Sequence, residues 1–403
     1  MSTTPLLDTK RASTPRQFSA YLRDHGKLYW WEADRFWVLT DFELATQALR
    51  GTDFSADRSA YFMARLGGIP IERVMNFLGV VTKMMVTSDP PEHTARRRLA
   101  QFGIADNVLD AFRPTVERTV AALVDQAAAG PTLELISQIA LPLPCTVLAD
   151  LFSIPPERRS DFYRWSNAMT QFFGGGSADV ETDAARANDG AGNLRAYFTE
   201  LIAARRKAPS TDFLSNLLQH QQSLGLDDSE LISQAVMMLV AGSITTTDQI
   251  ANNMYGLLTE GPPLDSLRSD PARLEAALEE ATRLDPAVNF VFRVAKKDVT
   301  LGGHTVQAGQ LLFVSAHAVN RDPAVFAQPD EYRLDRGRNP HMGYGSGLHY
   351  CLGARLGRIQ MTALFSALLA RFPKLALAPT PAPVRKHESL GFSGFNALTL
   401  STE

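Results

Sequence analysis

The run His341-Met-Gly-Tyr-Gly-Ser-Gly-Leu-His-Tyr-Cys351-Leu-Gly-Ala-Arg355 constrains this chain more than any other segment. It sets one cysteine in a glycine-rich turn, directly ahead of an apolar, helix-forming stretch. Glycine tolerates positive φ and lets the backbone approach a flat surface closely. Gly343, Gly345, Gly347 and Gly353 are therefore expected to fold the run into a tight loop that admits a planar ligand. The exposed N–H groups of the following helix favour a thiolate at Cys351. A lone cysteine is more often a small buried apolar residue. The glycines and His349 around this one argue for a ligand instead.

The bulk properties leave room for such a site. The chain has 403 residues, 45% of them hydrophobic, which is ample for a large core. No Pro-, Gly- or Ser-rich linker divides it, so residues 1–403 read as one domain. A net charge of −3 argues against a nucleic-acid partner. Two cysteines, Cys145 and Cys351, are too few for a disulfide framework and suit a reducing compartment. Met1–Phe18 is polar, contains Pro5 and Pro15, and lacks the apolar core of a signal peptide or membrane anchor. We expect a soluble, cytoplasmic monomer with no membrane association.

Periodicity and breakers predict a mainly α fold with a minor antiparallel β region. Lys27–Trp31 and Arg35–Leu39 read as strands around a turn at Glu32–Asp34, and Asp41 caps a helix through Leu49. Residues 55–88 read as a loop with short helices. Helical patterns dominate from Pro91 to Phe173, and Gly174-Gly175-Gly176 separates two helices. Asp227–Leu258 is a long apolar helix, Leu274–Leu284 a shorter one ended by Asp285-Pro286, and Leu352–Arg371 a third. Short strands are expected at Val299–Leu301, Thr305–Val306 and Leu311–Ser315.

Three further segments carry chemistry. The long helix contains Ala241-Gly242-Ser243-Ile244-Thr245-Thr246-Thr247-Asp248. Gly242 costs about 1 kcal/mol against alanine there, and threonine hydroxyls bond back to the preceding turn, so a weakened, bent turn is expected. Glu280-Ala-Thr-Arg283 puts a carboxylate and a guanidinium on one helix face. Asp89-Pro-Pro-Glu-His93-Thr-Ala-Arg-Arg97 reads as a helix start with His93 and Arg97 one turn apart.

Together these segments resemble the cytochrome P450 family. The Cys351 run is similar to its haem-binding loop, Phe-x-x-Gly-x-Arg/His-x-Cys-x-Gly, at Tyr344, Gly347, His349, Cys351 and Gly353, with tyrosine replacing phenylalanine. The resemblance covers nearly the whole chain and implies the family's helical prism. It makes Cys351 the thiolate ligand of haem b, with Tyr344, Gly345 and Gly353 in the cradle. His93, Arg97, Arg293 and His349 become contacts to the haem propionates. Ala241, Gly242 and Thr245 match the turn that makes room for dioxygen, with Thr245 as its hydroxyl. Glu280 and Arg283 become a buried structural pair, partnered from Asn320-Arg321 and Tyr332–Arg336.

Ile244 departs from the pattern, because the family usually carries an acid there. Either water and Thr245 suffice to deliver protons, or the substrate brings a polar group, or the reaction is not ordinary hydroxylation. Asp248, one turn on, is either a substitute acid or a solvated side chain. By resemblance the substrate pocket draws on Arg58, Phe62, Phe173, Met238, Ala241, Val288, Asn289 and Phe392. Its aromatic content suits an apolar or aromatic ligand portion, with Arg58 and Asn289 for a polar end. Arg96, Arg98, Arg355 and Arg358 form either a basic patch for an acidic ferredoxin or flavodoxin or a merely solvated face. The sequence holds no Rossmann-type glycine-rich unit, so electrons from NAD(P)H must arrive through a ferredoxin or flavodoxin and its reductase. The implied activity is dioxygen-dependent hydroxylation of a small to medium organic substrate in secondary metabolism. The alternatives are peroxygenation, nitration, C–C coupling or desaturation on the same haem, or a non-catalytic haem-binding sensor.

Overall fold

A computed structural model describes residues 4–59, 63, 66–174 and 179–403. Backbone contacts gather the chain into two compact units. One comprises 1–55, 120–140 and 245–403; the other comprises 56–119 and 141–244. Helices dominate both, as expected.

The first unit holds the main sheet. Its strand order is Leu28–Trp31, Phe36–Leu39, Leu311–Ser315, Phe290–Ala295, Phe54–Ser55. The hairpin predicted around Glu32–Asp34 forms, and Arg35 takes a positive φ of 56° to close it. Every pairing in this sheet is antiparallel except one: Phe36–Leu39 runs parallel to Leu311–Ser315. Parallel neighbours need a long crossover, which the intervening chain supplies. Phe290–Ala295 is a strand that the sequence pattern concealed. Its Phe290 and Arg293 are both buried, so no polar-apolar alternation marks it. Phe36 stacks on Phe313 across the sheet at 3.8 Å between ring centroids. Leu6, Phe18, Leu22 and Trp31 complete that cluster. The N-terminal segment thus belongs to the core, although its composition reads as polar. Thr14 and Gln17 cap Pro15–Asp24 reciprocally, a capping box the eye passes over in a proline-containing stretch.

The second unit is helical. Glu92–Gly103, Pro142–Leu151, Arg159–Gly174, Val180–Lys207 and Phe213–Gln221 lie within it, and Asp106–Ala127 and Asp228–Thr259 begin in it. Gly190 lets two of them meet, since a Cβ there would lie 2.7 Å from the Trp165 carbonyl oxygen. Asp227 and Glu230 cap the long helix Asp228–Thr259 reciprocally, the Asp227 carboxylate accepting from the Glu230 N–H at 2.8 Å.

The helix Pro271–Leu284 starts at an Asp270 cap and buries Glu280 and Arg283 almost completely. Their side chains meet as a two-pronged fork, with Arg283 Nε and Nη2 donating to Glu280 at 2.8 and 2.7 Å. Arg283 Nη1 also donates to the carbonyls of Asn320 and Pro329, each at 2.7 Å. Glu280 accepts a further bond from Arg336 at 2.8 Å. The partners anticipated from the Asn320 and Tyr332–Arg336 segments are therefore in place.

Beside this fork, Glu279 accepts from Arg358 Nε and Nη2, each at 2.8 Å, and meets His341 at 3.1 Å. Burial alone would raise the Glu279 pKa, but these two partners outweigh it and bring it down to about 2. A depressed carboxylate stabilises the fold above its usual pKa and loses that contribution as pH falls toward the folded value. Acid titration should therefore erode stability between about pH 4.5 and pH 2, and Glu279→Gln should flatten that segment of the urea-midpoint profile. Glu280→Ala leaves a buried guanidinium unpaired and should cost about 3–5 kcal/mol in equilibrium unfolding.

Candidate active site

The two cysteines sit in different environments. Cys145 is largely enclosed, and burial pushes its thiol up to about 12, which leaves it protonated and inert. Cys351 is exposed, unusual for a residue that normally packs inside. Its loop is fixed from behind. Cys351 N–H donates to the Tyr344 carbonyl at 2.9 Å, and Gly345 N–H to Met342 at 3.0 Å. Asn320 Oδ1 accepts from the Met342 N–H at 2.6 Å, while Asn320 Nδ2 donates back to the Arg283 carbonyl. The loop is thereby tied to the Glu280–Arg283 fork.

Two of the four expected glycines need a positive φ: Gly345 at 73° and Gly347 at 70°. A Cβ on Gly347 would also stand 2.5 Å from the Leu49 carbonyl oxygen. The other two differ from the expectation. Gly353 has an ordinary φ of −83° because it serves as the N-cap of Ala354–Arg371. Gly343 is needed for close packing on Thr282. An added Cβ at Gly353 would meet open space, so the backbone there is accessible from outside. Tyr344 lies under the Arg358 guanidinium, 4.4 Å from its ring centroid, and burial drives its phenol well above the usual range.

The long helix is buried over Leu231–Val240 and again over Thr247–Met254. Between them Ala241 is exposed, and Gly242, Ile244, Thr245 and Thr246 are half-exposed. A helix that is apolar all round normally lies wholly inside. This one opens over the turn that carries the motif. The helix runs unbroken through Gly242, the turn expected to be weak. Gly242 instead permits close packing, since an added Cβ would come within 3.1 Å of Leu148. Met238 falls in the buried run before the opening.

Asp248 is not solvated. It is 1% exposed and accepts from Lys386 Nζ at 2.6 Å. Burial raises its pKa to about 6 against the pull of that lysine. A Cβ on Gly394 would overlap its carboxyl group. The Asn289 amide nitrogen is likewise engaged within the protein. The residue is fully buried, and its Nδ2 donates to the Leu390 and Phe392 carbonyls at 3.2 and 3.0 Å. Val288 and Phe392, however, face each other in an antiparallel bridge, and both are half-exposed. Sequence reading missed Lys386 and Gly394, whose neighbour Asp248 is remote along the chain.

Of the anticipated propionate contacts, His93 and Arg293 are 2% and 3% exposed. Arg97 and His349 are half-exposed. Arg293 sits on the concealed strand and donates to the Phe292 carbonyl at 2.8 Å. Arg58 is half-buried, Phe62 lies outside the described residues, and so does the side chain of Phe173. The expected basic patch is weakened. Arg96 is 9% exposed and donates to Glu230 and Ser88, and Arg358 is neutralised by Glu279. Arg98 is exposed and Arg355 half-exposed.

These features fit haem. An outward-facing thiol lies on a glycine cradle at a helix start, and the backbone beside it is open. Among the described residues no cluster of three or more His, Cys, Asp or Glu side chains could hold a bare metal ion. A single thiolate suits a metal that arrives already chelated. No described helix is long and apolar enough to cross a membrane.

Comparison with known proteins agrees. Residues 272–393 match the family described as Cytochrome P450. The chain is 32% identical to cytochrome P450 107B1 of Saccharopolyspora erythraea, over 90% of this chain and 88% of that one. It is 35% identical to the mycinamicin IV hydroxylase/epoxidase of Micromonospora griseorubida, over 77% of each. The myxobacterial cytochrome P450 CYP267B1, solved with myristic acid, shares its fold with a TM-score of 0.86 and 31% identity, over 98% of both chains. The thiol loop, the opened helix and these likenesses converge: the chain belongs to the cytochrome P450 family and is a haem-dependent monooxygenase.

Proposed function

We propose that this monooxygenase holds haem b through Cys351 and hydroxylates a small to medium apolar substrate of secondary metabolism. The observation that carries this reading is the exposed Cys351 thiol on a loop fixed from behind by Asn320 and the Glu280–Arg283 fork. When bound, haem supplies an iron centre whose thiolate ligand favours O–O cleavage of dioxygen. Tyr344, Gly345 and Gly353 would cradle it. His93, Arg97, Arg293 and His349 would hold its propionates by charge-assisted hydrogen bonds.

The chain's own groups set what reaches the site. Thr245 is half-exposed in the opened turn of the long helix, and by its match to the family motif its hydroxyl would hold a proton there. Ile244 beside it offers none. Asp248 is engaged with Lys386 and helps fix the helix to the C-terminal segment, so Thr245 and water carry the protons. Val288 and Phe392, bridged and half-exposed, would give the substrate region an apolar wall. The mycinamicin-directed relative and the myristate-bound one are consistent with a mainly apolar ligand.

Electrons come from NAD(P)H through a ferredoxin or flavodoxin and its reductase. Leu348 and Tyr350 are 47% and 38% exposed next to Cys351, and with Arg355 they suit a small partner docking there. Two unbridged cysteines suit the reducing cytoplasm.

Ile244 favours one second reading, in which the same site performs peroxygenation, nitration, C–C coupling or desaturation. Product analysis under peroxide, and under NADH with redox partners, separates the two. Ile244→Glu should raise the fraction of NADH consumed that appears as product if proton supply limits hydroxylation. Unchanged coupling counts against a missing proton relay as the meaning of Ile244 and leaves the product analysis to separate the two readings. Cys351→Ser should abolish the red-shifted Soret band of the reduced, carbon monoxide-treated protein. Retention of that band would remove Cys351 as the ligand.

A further inference from the structure

Six consecutive carbonyls, from Ser389 to Gly394, are all captured by donors. Asn289 takes Leu390 and Phe392 with its side chain and Gly391 with its backbone N–H at 2.8 Å. Asn252 takes Ser393 at 3.1 Å, and Lys386 N–H takes Gly394 at 3.0 Å. The remaining donor comes from the opposite end of the chain. Lys10, on the short N-terminal helix Leu6–Arg11, donates its Nζ to Ser389 and Phe392, each at 2.5 Å. Its neighbour Arg11 donates to the His387 carbonyl at 3.0 Å.

Lys10 is only 8% exposed, which is exceptional for a lysine. A buried ammonium is costly unless hydrogen-bonded and countered by charge. Both conditions are met: two carbonyls accept from it, and the carboxylates Asp285, Asp248 and Glu388 favour its charge against Arg385. His317 also faces this cluster through Asp285. The helix that carries Lys10 is too short to be stable alone. It is pinned by fully buried Leu6.

We infer that Lys10 is a positioning residue for the substrate site, holding the Ser389–Phe392 carbonyls so that Phe392 stays opposite Val288. The inference rests on the reading of Val288 and Phe392 as substrate wall. It makes the N-terminal helix part of the site's support rather than a dispensable leader.

Burial brings the Lys10 pKa down to about 7, so the clamp weakens within an accessible pH range. A neutral amine still donates, but a charge-assisted hydrogen bond is roughly twice as strong.

The test is hydrogen exchange of residues 386–396 in the holoprotein, corrected for the intrinsic pH dependence of exchange. Lys10→Met should speed exchange in this segment by about tenfold, leave strand Phe290–Ala295 unchanged, and be reversed largely by Lys10→Arg. In the unaltered protein, corrected exchange of the same segment should rise as pH passes from 6 to 8 while the Glu280 helix stays level. Unchanged exchange in Lys10→Met overturns the inference, as does an increase spread evenly through the protein. If Lys10→Met does not fold, a flat pH profile for the segment overturns it. Failure here leaves the haem reading intact, because that reading stands or falls on the Cys351→Ser spectrum.

Discussion

The Glu280–Arg283 fork is the interaction on which the rest of the structure depends. Two opposite charges with almost no contact to water attract strongly, yet taking both out of water costs nearly as much. Such a pair adds little net stability, and its value lies in direction. Arg283 can satisfy its donors only if the Asn320, Pro329 and Glu331 carbonyls converge on it. Glu280 can satisfy its acceptors only if Arg336, the Arg333 N–H and Asn339 come to it. Three stretches of irregular chain are thereby given one arrangement. From there a single side chain, Asn320, reaches the start of the thiol loop at Met342. The geometry of Cys351 is thus set by groups that never approach the sulfur.

Legibility from sequence followed the range of the interaction. The Cys351 loop was readable because its chemistry uses side-chain identity at fixed short spacings. Asp41 was readable as a helix cap because the bond it makes, to the Leu44 N–H, is local. The strand Phe290–Ala295 was not, because residues on both its faces are buried and no alternation survives. Asp248 and Asn289 were misplaced for a different reason. Polar residues near a motif invite a chemical role, yet the partners that occupy them, Lys386, Leu390 and Phe392, lie about a hundred residues or more along the chain. Nothing local announces such a pairing. Glycines divided similarly: Gly345 and Gly347 are required by backbone angle, whereas Gly343 is required by a neighbour that only the fold supplies.

The C-terminal segment shows how a protein can hold irregular chain still without regular pairing. A strand fixes its carbonyls through a neighbouring strand's N–H groups. Here the same task is divided among the side chains of two asparagines and one lysine and the backbone N–H groups of Asn289 and Lys386. Buried carbonyls demand partners wherever they lie. Meeting that demand largely with side chains frees the segment from strand geometry.

The contact of Gly394 with Asp248 carries a consequence for how this lineage can diverge. The glycine leaves room for a carboxyl group that is itself held by Lys386. A larger residue at 394 requires a smaller one at 248, and losing the acid at 248 leaves the partly exposed ammonium of 386 to water. Position 248 is thus coupled to 394 by volume and to 386 by charge. Homologous sequences should show them changing together, with glycine at 394 wherever an acid and a base occupy the other two.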